Sequence, residues 1–79
     1  MRLVEEIPHH TFKISVFNYN EKYIIKIELA QYEQSYKVPS GDVNGMEDIK
    51  KLLNEPFLES VMQRFLSMRE DFSKTFQTV

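Results

Sequence analysis

The apolar residues of this chain follow two periods, and the change falls at Pro39-Ser40-Gly41-Asp42. Before that point they alternate, as one face of a β-strand requires. After it they recur every three to four residues, as one face of a helix requires. A run of strands followed by a run of helices describes an α+β fold, with helices laid on one face of an antiparallel sheet.

The alternation predicts three strands between residues 11 and 38. The first covers Phe12 to Phe17, with Phe12, Ile14 and Val16 on one side and Lys13 and Ser15 on the other. A turn at Asn18-Tyr19-Asn20-Glu21 follows, because Asn tolerates the left-handed backbone of a tight loop. The second strand runs from Tyr23 to Leu29, with Tyr23, Ile25, Ile27 and Leu29 opposed to Ile24, Lys26 and Glu28. The third covers Glu33 to Val38, after a weakly signalled connection at Ala30-Gln31-Tyr32. The expected fold is therefore a three-stranded antiparallel meander with one apolar and one solvated face. The first ten residues form an N-terminal arm or a short edge strand, since Pro8 argues against a central one.

Two helices are expected between residues 45 and 76. Asn44 with Glu47 three residues later has the form of a capping box, which starts a short helix over Gly45 to Leu53. Its apolar stripe is Met46, Ile49, Leu52 and Leu53. Asn54 ahead of Glu55-Pro56 caps a second, longer helix, since proline is accepted in a first turn. There Phe57, Val61, Phe65, Met68, Phe72 and Phe76 recur at spacings of four, four, three, four and four. Leu58, Met62 and Leu66 widen the stripe. This face should lie on the sheet.

Seventy-nine residues suit a single small domain with a thin stability margin. Staples are few, because the absence of cysteine excludes disulfides and thiolate metal sites. Six Phe and four Tyr help to fill a small core. Ten basic and twelve acidic residues give a net charge of −2 without any block of like charge. Such a balance argues against a broadly basic nucleic-acid binder. Glu5 and Glu6 interrupt the N-terminus before a signal-peptide core can form, and no apolar run reaches the ~20 residues of a membrane span. The expected location is cytoplasmic.

No motif for catalysis, metal or cofactor emerges. His9-His10, with Glu5 and Glu6 nearby, would point to opposite faces if it lay in a strand, and so could not share one ion. Gly41 and Gly45 lack the Lys-Ser/Thr ending of a phosphate loop, and Asp42, Glu47 and Asp48 would repel a phosphate. No nucleophile–base or paired-carboxylate arrangement is identifiable, and the expectation is a protein that is not an enzyme.

The candidate sites are docking surfaces. A helix from Glu55 to Phe76 is about 33 Å long at 1.5 Å per residue, against about 23–27 Å for a strand of seven or eight residues. The sheet should fall short of covering Met68, Phe72 and Phe76 together. Exposed, they would form an apolar patch suited to a second copy or to another protein. Phe17 and Ile24, apolar residues on the solvated face, are a second candidate. The expected function is a small interaction or structural module, a homodimer or a subunit of a complex. The alternative is a nucleic-acid-binding regulator that uses Lys13, Lys26 and Lys37 on the solvated sheet face, where Glu28 and Glu33 would oppose phosphate.

Overall fold

The computed structural model describes all 79 residues. Four strands, β1 (Arg2–Ile7), β2 (Lys13–Tyr19), β3 (Lys22–Leu29) and β4 (Tyr32–Pro39), form one antiparallel sheet in the order β1-β2-β3-β4. A 3-10 turn at Ser40–Asp42 leads to α1 (Met46–Leu52) and then α2 (Glu55–Phe76). The α+β class holds, and the expected strand count is corrected from three to four.

The additional strand, β1, is an edge strand whose signal is broken by a bulge. Leu3 pairs with Phe17 and Glu5 with Val16, so Val4 is the extra residue between them. Beyond the bulge, Glu5 and Ile7 lie opposite Val16 and Ile14 on the helix-covered side. Glu5 meets Lys50 of α1 at 2.8 Å there, so a carboxylate is tolerated where the alternation calls for an apolar residue.

The β2–β3 and β3–β4 hairpins each close over two residues, whereas β1 and β2 are joined by residues 8–12. Asn20 and Glu21 have φ of 52° and 61°, and the pair Tyr19–Lys22 flanks them. Two successive positive φ values are the signature of a type I′ turn, whose twist matches that of the strands. β2 therefore continues to Tyr19, two residues past its expected end. The second hairpin turns at Ala30 (φ 55°) and Gln31 between the paired Leu29 and Tyr32. β4 likewise extends one residue beyond expectation at each end, to Tyr32 and Pro39.

Ile14, Val16, Ile25 and Ile27 are the buried centre of the covered face. Ile49 of α1, Val61 and Phe65 of α2, and Phe12, just ahead of β2, complete the core. Each such side chain contributes roughly 1.5–3 kcal/mol through its removal from water, before conformational entropy opposes it. Tyr23, Leu29, Tyr36 and Val38 surround the core and are half-buried.

The two helix starts differ. Asn54 caps α2 as expected, its side-chain oxygen accepting from the Phe57 N–H at 3.0 Å. Asn44 does not cap α1. The residue at that position is Gly45, at φ 73°, with no side-chain capping bond. The Asn44 N–H instead donates to Asp48 Oδ2 at 2.9 Å. Asp48 thus takes the reciprocal role that the sequence pattern assigns to Glu47.

Candidate interaction surfaces

α2 is held to the sheet through its first half. Val61 and Phe65 are buried, and Phe57 meets Tyr36 edge to face at 5.3 Å between ring centres. Gln34 of β4 donates from Nε2 to the Val61 carbonyl at 3.0 Å, while its Oε1 accepts from the Tyr36 hydroxyl at 2.8 Å. Arg64 donates to that same hydroxyl at 3.3 Å.

Beyond Met68, the last turns of α2 leave the core. Tyr32 opens β4, and its ring meets Phe72 edge-on at 6.4 Å. Phe76, one turn further along, stacks at a tilt on Phe72 at 5.9 Å, and neither ring is among the hydrophobics packed on the core. Phe72 is 49% exposed and Phe76 62%. Tyr32, Phe72 and Phe76 line a hollow of about 350 Å³ with Gln31, Ser73 and Gln77. The projection is ordered helix to Phe76, and the longest dimension of the molecule is 45 Å. Met68, grouped with these rings on spacing, is instead half-buried and packs on the core. Leu66, placed on the same stripe, is 41% exposed. Tyr32 is the member of this surface that the sequence pattern did not mark. Its signal was present in the even-numbered phase it shares with Tyr36 and Val38.

The uncovered face of the sheet sorts by register into two ends. At one end Leu3, Phe17, Ile24 and Lys37 form a row across all four strands, with Tyr19 and Lys22 beside it. Phe17 and Ile24 are direct cross-strand partners and both are half-buried. Lys26 reaches over the Phe17 ring, its ammonium 5.4 Å from the centroid. At the other end Lys13 faces Glu28, and Glu28 faces Glu33. Of the three lysines placed here by alternation, Lys13 is thus opposite a carboxylate, Lys26 is 4.0 Å from Glu33, and Lys37 has no ion pair. Ser15, expected at the solvated surface, is buried between its register partners Glu6 and Lys26.

His9 and His10 lie in the connection between β1 and β2, not in a strand. Their rings stack at 4.5 Å rather than pointing to opposite faces, and His9 stacks on Phe12 at 5.0 Å. His9 Nδ1 accepts from the backbone N–H groups of Thr11 and Phe12 at 3.0 and 3.1 Å. The ring therefore caps the turn that feeds β2. No group of three His, Asp or Glu side chains is placed to hold a metal ion. No helix is long and apolar enough to cross a membrane. No family model, no curated protein and no solved structure shows a significant match to this chain.

Proposed function

We propose that the chain is a non-catalytic interaction module that acts by association, in the first instance with a second copy of itself. The projecting end of α2 is the docking surface. The observation that carries this reading is the position of Phe72: half exposed, held in ordered helix, and set between Tyr32 and Phe76. Aromatic side chains are enriched at the buried centres of protein interfaces, and contiguous apolar patches on small proteins mark such sites. Sedimentation equilibrium across a wide concentration range tests the proposal. The wild-type chain should associate, and the double variant Phe72→Ser/Phe76→Ser should associate at least about tenfold more weakly while its circular dichroism is unchanged. A wild-type chain that stays monomeric near millimolar concentration would sink self-association.

A second reading, as a nucleic-acid binder, draws support from the sorting of charge on the uncovered sheet face. Lys22 and Lys37 stand with Phe17 and Tyr19 at the end of that face without carboxylates. Aromatic rings with lysines on a sheet suit a single strand, whose bases stack and whose phosphates pair. On this reading a single-stranded oligonucleotide binds at low salt, weakens steeply as salt rises, and is lost in Lys22→Gln/Lys37→Gln.

A further inference from the structure

We infer that edge strand β4 is a self-association interface that joins two copies into one continuous eight-stranded sheet, four strands from each, with the two-fold axis at Ser35. The inference deepens the reading of the chain as a self-associating module and rests on it.

The open edge of β4 follows from the hairpin. A two-residue turn closes on a hydrogen-bonded pair, here Leu29 and Tyr32, and bonded pairs then alternate along an antiparallel ladder. The alternation predicts a bonded pair at Glu21 and Ser40, and the Ser40 N–H does donate to the Glu21 carbonyl at 2.9 Å. Tyr32, Gln34, Tyr36 and Val38 thus direct their backbone groups toward β3. Glu33, Ser35 and Lys37 direct theirs away from the sheet, where they make no hydrogen bond within the chain. Pro39 occupies the next outward position, where a missing N–H removes no bond to β3. An uninterrupted row of unpaired donors and acceptors is a template for another strand. The opposite edge of the sheet, β1, is broken by its bulge at Val4 and is a poorer template.

The side chains along this edge fit a second copy in one register. Antiparallel pairing about Ser35 sets Glu33 opposite the partner's Lys37, and Lys37 opposite the partner's Glu33. On the covered face it sets Gln34 opposite the partner's Tyr36, and Tyr32 opposite the partner's Val38. Registers centred on residue 33 or 37 would oppose like charges directly, which destabilises a cross-strand pair, and those centred on 34 or 36 would set Glu33 or Lys37 against Ser35 and forgo both Glu–Lys pairs. Lys37 has no ion pair within its own chain, and Glu33 has only the 4.0 Å approach of Lys26 and an exposed 3.3 Å hydrogen bond from the Ser35 hydroxyl, so both are available to a partner. A two-fold axis normal to the sheet keeps both α2 helices on the same face and brings each projecting end beside the partner's Val38.

The test is sedimentation equilibrium on full-length chains, with circular dichroism confirming the fold. Lys37→Glu opposes two carboxylate pairs and should raise the dimer dissociation constant about tenfold or more. Glu33→Lys combined with Lys37→Glu restores opposite charges in the same register and should return it to within about threefold of wild type. Ser35→Pro removes an outward N–H that the monomer does not use, and should abolish the dimer while the chain stays folded. A monomeric wild type overturns the inference. So does a dimer indifferent to Ser35→Pro and Lys37→Glu; if that dimer is lost in Phe72→Ser/Phe76→Ser, the helix-end reading stands without the strand edge. A dimer lost with the edge variants but indifferent to the Phe72 and Phe76 changes supports the edge and removes the helix end as docking surface.

Discussion

The side-chain amide of Gln34 donates a 3.0 Å hydrogen bond to the backbone carbonyl of Val61, tying the covered face of edge strand β4 to the first half of α2. Gln34 sits in a row otherwise filled by Tyr32, Tyr36 and Val38, and its amide oxygen also accepts from the Tyr36 hydroxyl. Gln34→Leu keeps the volume and loses both bonds. It should cost about 0.5–1.5 kcal/mol, read as a lower urea midpoint with unchanged slope. Gln34→Glu should cost more, because a carboxylate cannot donate to the Val61 carbonyl and would face it with like partial charge.

Phe65 and Phe72 lie on the same helical stripe with opposite fates. Phe65 is 2% exposed and fills the core against Phe12, so Phe65→Ala should cost about 3–5 kcal/mol and leave a chain of this size largely unfolded. Phe72→Ala removes a ring that is half in water and should cost less than about 1.5 kcal/mol. Thermal denaturation of dilute protein separates the two. A loss at Phe72 as large as that at Phe65 would show that the projection contributes to the monomer's core.

His9 is structural through its acceptor nitrogen. Nδ1 takes two backbone N–H groups, so the neutral ring carries its proton on Nε2. His9→Ala should destabilise by about 1–2 kcal/mol, through the two lost bonds and the lost stacking on Phe12. His9→Asn, whose side-chain oxygen reaches nearby N–H groups, should recover part of that loss. Equal destabilisation by the two variants would show that the stacking, and not the acceptor, holds the turn.

Besides Asn20, whose residue type tolerates this region, two turn positions carry side chains at backbone angles that favour glycine, Glu21 at φ 61° and Ala30 at φ 55°. Glu21→Gly creates the Asn-Gly pair preferred in type I′ turns, and Ala30→Gly relieves the same strain in the second hairpin. Each should stabilise by about 0.5–1 kcal/mol, a rise of several degrees in Tm for a chain of this length. A fall in Tm would mean that the added freedom of the unfolded chain outweighs the strain.

The Glu5–Lys50 pair joins β1 to α1 at 2.8 Å with both side chains partly in solvent. Lys50→Ala should therefore cost less than about 1 kcal/mol, and the difference from wild type should shrink as salt is added. A larger, salt-independent loss would point to packing by the Lys50 stem as the main contribution.

The alternation of Ile14, Val16, Ile25 and Ile27 and the helical spacing of Phe57, Val61 and Phe65 determined, without further information, which face of each element is dry. Burial of apolar surface is local in sequence to that extent, because side-chain direction follows the period of the backbone. The cap at Asn54 was legible for the same reason, since it acts on a residue three positions away. What depended on distant residues was decided only in the tertiary structure. β1 became a strand because β2 offered it a ladder and Lys50 met Glu5, while the bulge at Val4 hid its period. His9 and His10 stack because they occupy a turn that exists only once β1 pairs with β2. Phe72 and Phe76 stay exposed where Met68 does not because the sheet ends at Tyr32, and the reach of a sheet relative to a helix is set by how strands align, which no single segment encodes.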